Sequence, residues 1–168
     1  MWKYNAGMEQ QPERPRLFSF LTRTRFLHIE DALERGKLRF FAGAFERGQG
    51  ARQTAYAFVD IDEMRVILHD LADGKPVDYS SFAGGKTGRD LIVSRVVKIR
   101  TKDGQVWVQV ANGPGVHQGG VIKPNGRPAA EISVPMTIFE ARKLGWACVA
   151  YLQAWEVGRV QKTVISDQ

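Results

Sequence analysis

The sequence predicts an α+β protein made of two repeats, each a set of antiparallel strands followed by one helix. Apolar and polar residues alternate over several segments, as in half-buried strands. Two other segments carry helical spacing, and each follows a strand-like run. Arg52–Val59, leading into the first helical segment, also parallels Arg127–Val134, leading into the second, at an offset of 75 residues.

With 168 residues and 43% apolar content, the chain is long enough for one globular domain or for two small halves that share a core. Its net charge of +6 is concentrated. Between Gly84 and Arg127 stand Lys86, Arg89, Arg95, Lys98, Arg100, Lys102, Lys123 and Arg127 against only Asp90 and Asp103, which accounts for the whole surplus. A surplus gathered in one stretch suits a polyanionic partner better than a diffuse one. Cys148 is the single cysteine, which excludes an intrachain disulfide, and its apolar surroundings from Trp146 to Ala150 assign it to packing. The longest apolar run, Leu144–Leu152, is too short to span a bilayer, so no membrane segment is expected.

Residues 1–16, with Pro12 and Pro15, read as a flexible arm, and 17–157 as one domain. Its repeats occupy 17–75 and 89–157, joined by a linker over 76–88 that contains Ser80, Ser81 and three glycines; 158–168 form a tail. Leu17–Glu30 supplies one or two strands. In Lys37–Phe45, Leu38, Phe40, Ala42 and Ala44 fall on a dry face, while Lys37, Arg39, Phe41 and Phe45 fall on a cationic, aromatic one. After a turn at Gly48–Gly50, Arg52–Val59 returns as a strand. A helix capped by Asp60 or Asp62 follows, with Ile61, Met64, Ile67 or Leu68, and Leu71 at helical spacing until Gly74 and Pro76. In the second half, Leu91–Thr101 and Gln105–Ala111 flank an Asp-Gly turn, a strong hairpin signal. Val116–Lys123 and Ala129–Val134 complete four segments, and Thr137 with Glu140 has capping-box spacing at the start of a helix reaching about Trp155. That helix is apolar over more than one face, which calls for burial against the other repeat and against another subunit.

Catalytic patterns are weak. Gly84-Gly85-Lys86-Thr87 resembles part of a phosphate-binding loop, but Ser80 replaces the first glycine and a strand follows instead of a helix, which removes the dipole an anion site needs. His28, His69 and His117 lack metal-ligand spacing. No enzymatic activity, metal or cofactor is therefore expected. The positive signal is cations and aromatics sharing strand faces. With Val97, Ile99, Val106, Val108 and Val110 inward, Lys98, Arg100, Trp107 and Gln109 point outward. Single-strand binders use such faces because bases stack on rings while cations track phosphates; the alternative is that Trp107 is half-buried at a subunit interface. The candidate nucleic-acid contacts are Lys37, Arg39, Phe41, Arg52, Tyr56, Arg95, Lys98, Arg100, Trp107, Gln109 and Lys123.

Val134-Pro135-Met136-Thr137 with Glu140 and the long helix beyond, together with the strand, Asp-Gly turn and strand of Val96–Ala111, resembles the Whirly family of single-stranded DNA-binding proteins, and more loosely the Pur-alpha group. The first half, from Gly36 to Leu71, is similar in element order and hydrophobic placement. The resemblance implies binding of single strands across sheet surfaces and edges, and homo-oligomers, tetramers or dimers, assembled through the helices. The plant members carry Lys-Gly-Lys-Ala-Ala-Leu on an early strand, of which only Gly36-Lys37-Leu38 has a counterpart here. With no plant-type transit peptide, the expectation is a cytoplasmic bacterial, archaeal or phage protein that protects or organises single-stranded DNA in replication, repair or recombination. RNA binding on the same fold and a non-catalytic assembly module are the alternatives.

Overall fold

Alternation of apolar side chains builds the first repeat. Strands β1 (Arg16–Leu21), β2 (Arg25–Ala32), β3 (Lys37–Phe45) and β4 (Ala51–Asp60) pair antiparallel in chain order, and helix α1 (Ile61–Ala72) follows without a break. The computed structural model describes residues 13–46 and 48–166; the proposed arm lies outside this range for residues 1–12. Residues 14–16 are not an arm: Arg14 donates to the Asp31 carbonyl and to Glu34, and Arg16 opens β1 opposite Glu30.

The second repeat repeats that order with an insertion. Strands β5 (Asp78–Lys86), β6 (Ile92–Lys102) and β7 (Gln105–Gln118) form an antiparallel meander. The free side of β7 is shared: β9 (Ala130–Thr137) pairs with its first half, and β8 (Val121–Pro124) pairs with Gly115–Gln118. Helix α2 (Ile138–Ser166) completes the repeat. The helices begin at Ile61 and Ile138, so the structural offset between repeats is 77 residues, and Ala55, Ala57 and Val59 correspond to Ile132, Val134 and Met136.

Several boundaries differ from the sequence reading. The expected linker over 76–88 holds β5, which pairs with β6 from Asp78 to Lys86, because a complete partner strand outweighs the weak strand propensity of Ser80, Ser81, Gly84 and Gly85. The segment Val116–Lys123 is the end of β7, a turn at Gly119-Gly120 and β8. The expected tail over 158–168 is helical as far as Ser166. Asp60 precedes α1 without capping it through its side chain, which instead meets Lys37 at 2.7 Å. At α2 the Glu140 N–H donates to Thr137 Oγ1 at 3.1 Å, as a capping box requires, while the Glu140 carboxylate turns to Lys143.

The inner faces of both sheets and one face of each helix form a single core. Leu27, Ile29, Leu38 and Phe40 from the first sheet meet Val97, Ile99, Val108, Val134 and Met136 from the second, with Met64, Leu68, Leu144, Cys148 and Leu152 from the helices. Each such side chain stabilises the fold by about 1.5–3 kcal/mol on burial. Burial also pushes the Cys148 thiol up to about 12, consistent with a packing role. The helices touch at Gly145, where a Cβ would lie 2.5 Å from the Ala72 nitrogen and 2.6 Å from the Leu68 carbonyl oxygen.

Candidate nucleic-acid interface

The second sheet presents a shallow groove of about 350 Å³ on its outer face, lined by Lys98, Arg100, Lys102, Trp107, Gln109 and Ser133, with Asp103 at one end. Strand register creates it. Arg100 stands directly opposite Trp107, and Lys98 opposite Gln109, on neighbouring strands β6 and β7. Trp107 is partly exposed, with its strand neighbours Val106 and Val108 buried beneath the sheet. Arg100 pairs with Asp78 at 3.2 Å in an exposed position, and Gln109 donates to Glu131 at 2.6 Å. Among the described residues Lys98 and Lys102 have no carboxylate partner and are available to an external anion.

The outer face of the first sheet is different in kind. His28, Phe41 and Tyr56 lie side by side on β2, β3 and β4, flanked by Phe26 and Phe58. The Phe26 and His28 rings stack at 4.9 Å, Phe26 meets Phe41 edge-on at 5.3 Å, and Tyr56 meets Phe58 at 6.0 Å. Gly43 makes this possible, since any Cβ there would run into the Phe26 ring that lies across it. Over the rings sit guanidinium groups: Arg39 is 4.8 Å from the Phe41 centroid and 4.6 Å from that of Tyr56, while Arg95 is 4.0 Å from Tyr56. Arg35 covers Phe58 at 5.2 Å. All five rings remain partly exposed.

The cations on β3 and β4 of this sheet are already neutralised. Arg39 meets Glu30 at 2.7 Å in a largely buried pair, Lys37 meets Asp60 and Arg52 meets Glu46. Arg95 and Arg35 have no carboxylate partner among the described residues. His28 is held below its ordinary pKa by burial and then by Arg16, with Glu30 opposing; its Nδ1 shares a 2.7 Å hydrogen bond with Ser19 Oγ. The ring is therefore neutral near pH 7.

The eleven sequence-derived contacts thus fall into separate groups. Lys98, Arg100, Trp107 and Gln109 come together on the second sheet, and Arg39, Phe41, Tyr56 and Arg95 on the first. Arg95 shares the strand face of Val97 and Ile99, and it reaches the first sheet because β4 packs beside β6 and β7. Lys37 and Arg52 stand at opposite ends of the same outer face of the first sheet and are spent in ion pairs. Lys123 lies at the far end of the second sheet, 5.6 Å from the Phe82 ring. Phe26, His28 and Phe58 escaped sequence reasoning, although each alternates with the core residues Leu27, Ile29, Ala57 and Val59, and that alternation was the available signal. Among the described residues no cluster of His, Cys, Asp or Glu could hold a metal ion, and no helix is long and apolar enough to cross a membrane.

No protein-family model matches the chain, and no curated protein or solved structure matches it either.

Proposed function

We propose that this chain binds single-stranded nucleic acid, DNA in the first instance, without strong sequence preference and without catalysing a reaction on it. The observation that carries the reading is the groove of the second sheet, where an outward Trp107 lies beside Lys98 and Lys102, two cations with no carboxylate partner among the described residues. A ring face supplies stacking to any base, and the ammonium groups supply phosphate contacts. The Whirly-like resemblance of the sequence extends the proposal to protection or organisation of single-stranded DNA during replication, repair or recombination in a bacterial, archaeal or phage cytoplasm. Self-association, as a tetramer or dimer, belongs to the same reading and is favoured by Phe139 and Trp146, which α2 leaves exposed.

The test is a salt titration with a single-stranded oligonucleotide, its RNA counterpart and a duplex of equal length. Single-stranded DNA is expected to bind best, with affinity falling as salt rises. Trp107→Ala should lose about 1–3 kcal/mol of binding, and Lys98→Ala should make the salt dependence shallower by about one unit. Equal affinity for the duplex, or no binding at low salt, removes the function. A preference for RNA replaces DNA as the ligand. An altered mass for Trp107→Ala with intact affinity makes the groove an assembly surface.

A further inference from the structure

We infer that the outer face of the first sheet is a second, independent subsite for unpaired bases, one that recognises them chiefly by stacking and only weakly by phosphate contact. The inference rests on the single-strand reading above and assigns one chain two places to hold a strand.

The argument begins with charge. In the groove of the second sheet, among the described residues, Lys98 and Lys102 are unpaired and Arg100 is held only by the exposed Asp78. Each phosphate neutralised there releases counterions, contributing about 0.7 to the salt slope for a single strand. On the first sheet Lys37, Arg39 and Arg52 already face Asp60, Glu30 and Glu46, so a phosphate arriving there finds little free charge. What remains is a layered surface. Arg39 lies over Phe41 and Tyr56, and Arg95 lies over Tyr56. Planar guanidinium groups accept stacked bases as ring faces do. Arg95 and Arg35, which lack carboxylate partners among the described residues, leave the face with a small positive residue and no free carboxylate facing it from those pairs. That residue matches a single strand and offers nothing to an acidic protein that the groove does not offer better.

The topology keeps the subsites apart. Both sheets turn their inner faces to one core, so their outer faces look away from it, while Arg95, Asn112, Gln53 and Arg25 reach across the join between the sheets.

The experiment uses the full chain and an oligothymidylate of about eight nucleotides, within the range of a single binding sheet, with stoichiometry and affinity measured by calorimetry at low and high salt. The expected result is two oligonucleotides per chain at low salt and one at high salt. Phe41→Leu, which keeps the bulk but loses the ring, and Arg95→Gln should each abolish the salt-resistant binding and spare the salt-sensitive binding, with thermal unfolding confirming that both variants fold. Trp107→Ala should do the reverse. One oligonucleotide per chain, weakened alike by Phe41→Leu and Trp107→Ala, overturns the second subsite and leaves the single-strand function standing. Absence of any binding overturns both.

Discussion

The free edge of β4 needs hydrogen-bond partners where it meets the second sheet, and Asn112 supplies them. Its Oδ1 accepts from the Tyr56 N–H at 3.0 Å, and its Nδ2 donates to the Tyr56 carbonyl at 2.8 Å, so one side-chain amide stands in for a strand. The same contact fixes the backbone beneath the ring that carries Arg39 and Arg95. Asn112→Ala should leave a part-buried donor and acceptor unpaired and cost about 1–3 kcal/mol. Asn112→Asp is nearly isosteric, yet it loses the donor and sets a carboxylate against a carbonyl. It should therefore be no more stable than the alanine variant. Thermal unfolding of both decides this, and wild-type stability in the aspartate variant would show that the donated hydrogen bond carries no weight. The Arg39–Glu30 pair calls for different handling. Removing one member of a largely buried ion pair strands the other at a cost of about 3–5 kcal/mol, so loss of binding in Arg39→Ala would report on folding as much as on ligand contact.

At the level of elements, the two repeats are joined most closely where α1 and α2 cross. Gly145 lets the backbones approach to a separation that no side chain could share with Ala72 and Leu68. Gly145→Ala gains helix propensity but must push rigid backbone aside, and overpacking of this kind typically costs about 1–3 kcal/mol. A chemical-denaturation midpoint below wild type is expected, and a midpoint at or above it would mean the helices separate freely. The sequence carried the alternation of β3 and of the β6–β7 hairpin, because each buries one face and exposes the other along its whole length. It did not carry β5, whose residues are half-buried on both faces and which owes its existence to β6. Nor did it carry the passage of β7 through Gly113-Pro114-Gly115, residues that ordinarily break a strand. They are required there because Pro128 packs against Gly113 and Ile122 against Gly115, with the hypothetical Cβ atoms at 2.9 Å and 2.8 Å from those neighbours. The candidate site was legible to the same extent: single-strand faces such as Lys98 with Trp107 follow from period-two counting, whereas Arg95 over Tyr56 and Glu30 beside Arg39 depend on registers between segments far apart in the chain.

Over the whole molecule, α2 is longer than its own core can use. Among the described residues Trp155 is the last that packs on the core and Glu156 still pairs with Arg65 of α1, yet the helix continues to Ser166, an overhang of about 15 Å at 1.5 Å per residue. Helices of that length are marginal in water without packing. Opposite the buried face of Ala141, Leu144, Cys148 and Leu152 runs a second apolar stripe through Phe139, Trp146, Val157 and Val160, each more than half exposed. Steps of seven and eleven residues return a helical position to within about 20°, so Phe139, Trp146 and Val157 share one line, with Val160 beside it. The proposed self-association would place a second copy of the same helix on this stripe, since the repeat of apolar positions is self-complementary in the manner of a symmetric interface. Trp146→Lys tests this without touching the core: at 60% exposure the indole supports little of the monomer, and a lysine near Arg142 and Lys143 sets like charges against each other between copies. The wild-type chain is expected to run above its monomer mass of 18.9 kDa in light scattering. Trp146→Lys should shift it toward the monomer with its helix content retained, while the affinity of a short oligonucleotide per chain stays unchanged, because the stripe shares no residue with either sheet face. A wild-type chain that is already monomeric, or a variant whose mass does not move, would remove α2 from assembly.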